Sequence, residues 1–240
     1  MHIDADLLRA YAESFYGYGN LSGKWWLVGL EEGGGETVED IDWRLKTWAS
    51  RGRRELDDVS VFESSPQHGK WFTARPPLQP TWRKLIRLML TAQGQRADDD
   101  SIRVFQGAKL GRLGADNCLL ELLPLPSRSV GNWIYADISG LPELKSRDTY
   151  RERFEPTRIA HIRARIAEHA PRVVVFYSRD KRDLWERIAG IPFKRSELAD
   201  LDIAITSKTI YALTTHPTRR GVTNAYFEDA GRTLGRVMSR

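Results

Sequence analysis

The chain has 240 residues, 41% hydrophobic and 29% charged, which suits one α/β domain with a sizeable core. Its 37 basic and 32 acidic residues leave a net charge of +5, a mild bias towards polyanionic partners. The lone Cys118 excludes an internal disulfide framework, and no apolar run approaches the roughly 20 residues that span a bilayer. With no signal-peptide apolar region at the start, a cytoplasmic protein is expected.

In chain order, Leu7, Leu8, Tyr11 and Phe15 recur at helical spacing and predict a first helix over Asp4 to Phe15. The apolar run Trp25 to Leu30 predicts a buried strand, ending in Glu31, Glu32 and three glycines. A long polar insertion follows from Glu36 to Gln67, with a helix expected over Thr37 to Trp48. Pro76, Pro77 and Pro80 lead rigidly into a helix from Thr81 to Thr91, with Thr81 as its N-cap. Arg96 to Ser101 is acidic and expected as loop, and Asn117 to Leu123 is the next buried strand. Thr149 to His169 predicts a long amphipathic helix, broken or restarted near Pro156. Arg172 to Tyr177 is the clearest strand, with a helix over Lys181 to Ala189 after it. Leu201 to Thr206 and Thr209 to Thr214 flank Ser207-Lys208, as a hairpin or as a link between separate strands. A last helix runs from Asn224, its expected N-cap, to Met238. Strands alternating with helices, several of them wholly apolar, predict a three-layer α/β/α domain over residues 1–240 with a mainly parallel central sheet.

Four strand-end or loop segments carry chemistry. In VGLEEGGG, a strand delivers Glu31 and Glu32 to a flexible turn at its carboxyl end, where open α/β sheets bind ligands. Two adjacent carboxylates would repel a phosphate, so acid/base or electrostatic work is the better expectation. In HGKWFTARPPLQPTW, a proline-locked loop presents Trp71 and Phe72, either to a flat ligand or as a cap on the core. In LLELLPLPS, Glu121 interrupts an apolar run, and a buried carboxylate needs partners or an altered pKa. In YALTTHPTRRGV, His216 follows an apolar strand and can donate to developing negative charge or merely cap a turn.

Taken together and in this order, the four segments resemble the uracil-DNA glycosylase superfamily. In that superfamily a Gly-x-acid motif ends the first strand and carries the residue that activates water. An aromatic on the next loop stacks on the flipped base, and a later strand supplies a side chain, usually asparagine, that reads the base edge. A His-Pro-Ser-like motif then adjoins the loop that wedges the duplex. Here Gly29-Leu30-Glu31 matches the first motif, with Glu32 where a proline is usual, so either glutamate could be the functional acid. Phe72 falls at the stacking position beside Trp71, Glu121 where the asparagine belongs, and His216-Pro217-Thr218 at the last motif. Arg219, Arg220 and Val222 fall in the wedge loop, the arginines for phosphate and Val222 for the gap in the stack. An ionised Glu121 only accepts hydrogen bonds, whereas a protonated one also donates.

The resemblance implies a uracil-DNA glycosylase-like fold and a monomeric DNA glycosylase of base-excision repair, hydrolysing the N-glycosidic bond of uracil or a related altered base. It needs no metal or cofactor, and one cysteine cannot hold an iron–sulfur cluster. Two other classes fit the same residues: a catalytically inactive protein that binds nucleic acid or nucleotide, and a nucleoside or nucleotide hydrolase.

Overall fold

The computed structural model describes residues 3–127 and 131–239. In chain order the elements are α1 (Ala5–Ser14), β1 (Gly17–Gly19), β2 (Trp25–Glu31), α2 (Val38–Ser50) and β3 (Leu56–Asp57). Next come α3 (Pro80–Ala92), α4 (Asp99–Ala108), β4 (Asn117–Leu123), α5 (Tyr135–Ile138) and α6 (Arg147–His169). The chain closes with β5 (Val173–Tyr177), α7 (Arg182–Ala189), β6 (Lys194–Arg195), β7 (Asp202–Ile205), β8 (Ile210–Thr214) and α8 (Asn224–Met238).

The eight strands form one sheet in the order β3-β1-β4-β2-β5-β8-β7-β6. Its middle, β4-β2-β5-β8, is parallel, while β1 against β4, β7 against β8 and β6 against β7 run antiparallel. These middle strands are nearly all apolar because helices cover both their faces. One layer packs α1, α2, α6 and α7 through Leu8, Leu45, Phe154 and Trp185. The other packs α3, α4 and α8 through Leu85, Ile102 and Phe227. The architecture is therefore three layers around a mostly parallel sheet. Because the four middle strands run the same way, the carboxyl ends of all four open on one edge.

Several local expectations change. The acidic stretch 96–101 is loop only as far as Asp98, whose carboxylate caps the Ser101 N–H at 2.8 Å and starts α4. Helix α6 neither breaks nor restarts at Pro156. A capping box at Ser146 and Thr149 starts it, and buried Tyr150, Phe154, Arg158, Ile162 and Ile166 recur every four residues along one face. Pro156 lies on the exposed side, where water can serve the carbonyl it leaves without a donor. Ser207-Lys208 turns a true hairpin, with Ile205 opposite Ile210. The N-caps sit earlier than expected, at Gln79 for α3 and Thr223 for α8. Among the described residues, no helix is long and apolar enough to cross a membrane.

Arg158 locks α6 to the end of α1 and to β4. It is 1% exposed, and its guanidinium donates to the carbonyls of Leu122, Glu121, Ala12 and Phe15 while lying 3.8 Å over the Tyr16 ring. One side chain thus satisfies the end of α1 and the end of β4, where Glu121 sits.

Candidate functional site

A cleft of about 790 Å³ lies at the carboxyl edge of the parallel strands, and Glu31, Glu32, Trp71, Glu121, His216 and Thr218 all line it. Residues from β2, β4 and the segment after β8 meet there because the sheet aligns those strand ends.

The two glutamates of the glycine turn have different settings. Glu31 makes an ion pair through Oε2 with Arg147, the first residue of α6, while its buried Oε1 has no hydrogen-bond partner. Burial raises its pKa and the Arg147 charge opposes that rise. Glu32 is held through Oε1, by Arg44 Nη1 at 2.7 Å and by the Tyr18 hydroxyl at 3.3 Å. Arg44 is 4% exposed and also pairs with Asp40 at 3.3 Å. Its Nη2 donates to His68 Nε2 at 2.8 Å, since guanidinium has no acceptor. Burial would raise the Asp40 pKa, but the Arg44 charge and the Gly35 N–H oppose this and hold it below the usual carboxylate range. Gly35 has φ of 65°, and a Cβ there would lie 2.4 Å from the Pro126 carbonyl, so this turn requires glycine. The turn is thereby fixed by a buried charge network. Glu31 keeps an uncommitted oxygen.

Glu121, Gly29 and Tyr177 form a row across β4, β2 and β5. Glu121 is the register partner of Gly29, and Tyr177 follows Phe176, the partner of Val28. The Tyr177 hydroxyl passes over the bare glycine and donates to Glu121 Oε1 at 2.8 Å. A Cβ on Gly29 would lie 2.3 Å from both Glu121 Oε2 and the Tyr177 hydroxyl oxygen, so only glycine lets them meet. Oε2 is shut off from water without a partner. Burial pushes the Glu121 pKa up to about 8; the Tyr177 bond pulls against this while Glu32 and Glu31 add to it. Burial thus favours the protonated form of this side chain.

His216 follows β8. The Thr218 N–H donates to its Nδ1 at 3.3 Å, and the Thr218 hydroxyl lies 3.0 Å from the same atom. That assigns the ring proton to Nε2. Burial lowers the His216 pKa, which favours the neutral ring. Lys84 of α3 fixes this loop by donating to the carbonyls of Pro217 at 2.6 Å and Val222 at 2.8 Å.

Trp71 and Phe72 part company. Both lie on a short 3₁₀ turn, Gly69–Phe72. The fully buried Gln106 pins the loop after it, donating to the Trp71 and Pro77 carbonyls at 3.1 Å each. Trp71 faces the cleft with Lys70 Nζ 4.8 Å over its ring. Phe72, at the expected stacking position, packs on Trp82, with ring centroids 6.0 Å apart, and against the core. It is not among the cleft's lining residues, whereas Trp71 is. Val222 is half-buried and packs against the core cluster that includes Phe227. Turns from Arg219 to His216 and from Val222 to Arg219 leave Arg219 and Arg220 as the exposed tip at the rim.

The sequence reading passed over Tyr177, Arg147, Arg44 and Lys84. Tyr177 had a visible signal, a polar tip ending the all-apolar strand RVVVFY on the binding edge. The arginines and Lys84 come from distant helices and carry none. Among the described residues, no group of three or more His, Cys, Asp or Glu could hold a metal ion. No protein-family model matches the chain, and no curated protein does either.

Proposed function

We propose that this chain is a divergent member of the uracil-DNA glycosylase superfamily that hydrolyses the N-glycosidic bond of a flipped, altered base in DNA. The observation that carries this reading is the convergence of Glu31, Trp71, Glu121 and His216, drawn from four separated segments, on one cleft at the binding edge of the sheet.

The target nucleotide leaves the stack and enters the cleft, where its base lies against Trp71 and meets Glu121 at its edge. As the bond from C1′ to the base nitrogen breaks, the electron pair leaves with the base and positive charge builds on the sugar. Glu31 stabilises that charge and orients the attacking water from the cleft wall, while Arg147 supports its ionised form. His216 donates from Nε2 to the base as it gains negative charge, and being neutral it does so without first binding a proton. Water supplies the hydroxyl to C1′, and its proton passes to solvent through Glu31. Arg219 and Arg220 at the rim contact phosphates.

The test uses oligonucleotides carrying uracil, hypoxanthine or xanthine, treated with protein and then with alkali to cut at abasic sites. Incision by the wild type, reduced at least about 100-fold in His216→Ala, is the expected result. Salt-dependent binding without incision would instead make it a non-catalytic binder. Activity confined to free nucleosides would make it a nucleoside hydrolase.

A further inference from the structure

We infer that Tyr226 is a positioning residue for His216: its hydroxyl holds the main chain one residue before the histidine and so sets where the imidazole lies in the cleft. This rests on the base-excision reading for what the imidazole does, but the hydrogen bonds that carry it owe nothing to any cleavage step.

His216 lies just beyond the end of a strand. The last register pair of β5 with β8 is Tyr177 with Thr214, so Thr215 is the first residue past the ladder. Thr215 is 7% exposed, and a buried N–H outside a ladder needs an acceptor from elsewhere. That acceptor comes from the first turn of α8, where the Tyr226 hydroxyl oxygen takes the Thr215 N–H at 3.1 Å. The bond closes the base of the loop that carries His216, Thr218 and the two rim arginines.

The phenol is itself held in place. Its own N–H donates to the Thr223 cap at 3.3 Å. Arg179, in the short turn after β5, donates from Nη2 to the same hydroxyl oxygen at 3.3 Å. Arg179 in turn donates to the Asp200 carboxylate at 2.7 Å and to the Asp200 carbonyl at 2.6 Å, and its Nε lies 3.0 Å from the buried Asp202 carboxylate. Arg182, the first residue of α7, donates to that same carboxylate at 2.6 Å. A charge cluster spanning β5, β7 and α7 therefore steadies the oxygen that holds Thr215.

The loop is fixed on both sides of the histidine. Tyr226 holds the residue before it, and Lys84 holds the carbonyls of Pro217 and Val222 after it. Such fixing matters for a hydrogen bond to developing charge, because a displacement near 1 Å can cost about 100-fold in rate.

The test is a double-mutant cycle. Single-turnover base release from oligonucleotides carrying uracil or hypoxanthine is compared in wild type, Tyr226→Phe, His216→Ala and the double variant, with DNA affinity measured alongside. Tyr226→Phe should slow release about tenfold with affinity unchanged, and by less than about twofold where His216 is already alanine. A hydroxyl that serves only the fold would act alike in both backgrounds. Proton NMR gives a readout that needs no cleavage: the His216 and Tyr177 rings, with centroids 6.0 Å apart, should show Overhauser contacts that weaken in Tyr226→Phe. Equal slowing in both backgrounds, or unchanged ring contacts in Tyr226→Phe, overturns the inference. Weakened contacts in a protein whose wild type releases no base would sink the enzymatic reading and leave the placement of the imidazole by Tyr226 standing.

Discussion

Glu121 takes its chemistry from its surroundings. As a carboxylate it would only accept hydrogen bonds, but burial over Gly29 keeps it protonated to about pH 8. Base release should therefore follow a bell. The rising limb reports ionisation of Glu31, displaced upward by burial, and the falling limb, near pH 8, reports loss of the Glu121 proton. Rates measured from pH 5 to 10 should show the falling limb in wild type and not in Glu121→Gln. The same proton affects stability. The folded-state pKa lies above the unfolded carboxyl value, so between the two the native state binds more protons than the unfolded state, and stability falls as pH rises. Urea midpoints of Glu121→Gln should accordingly pull ahead of wild type as pH rises from 5 to 8. Equal midpoints throughout would mean the acid is not held neutral.

Strand β2 lies at the centre of both sheet and site, and its glycine is as demanding as its glutamates. Gly29→Ala puts a methyl 2.3 Å from Glu121 Oε2 and the Tyr177 hydroxyl, so the two must separate. A loss of about 1–3 kcal/mol in urea unfolding is expected. The sequence revealed this element well: WWLVGL is buried on both faces, and an apolar run closed by two carboxylates marks a strand end at a binding edge. It could not show which glutamate is committed to structure, because Arg44 and Arg147 arrive from helices 12 and 116 residues downstream. Pro156 misled for the opposite reason: local propensity argues for a break, while a buried stripe at every fourth residue carries α6 through. Phe72 shows a third case: motif position points it at the cleft, but packing against Trp82 and the core turns it away.

Over the whole molecule, a three-layer sandwich places one edge of the parallel strands beside a rim carrying Lys70, Arg219 and Arg220, all exposed. The net charge of +5 is modest, so affinity for DNA should come from this rim more than from a general field. Replacing both Arg219 and Arg220 with alanine should flatten the dependence of log affinity on log salt by about two, with little change in base selectivity. An unchanged slope would place the phosphates elsewhere. In the proposed mechanism Glu31 is the water-orienting acid of the cleft. The most direct measurement compares single-turnover base release by wild type, Glu31→Gln and Glu32→Gln on an oligonucleotide containing uracil or hypoxanthine, with DNA binding measured alongside. Glu31→Gln should bind as wild type does but release base at least about 100-fold more slowly, while Glu32→Gln should lose chiefly stability. Equal rates in Glu31→Gln and wild type, or no release by wild type, would contradict this mechanism.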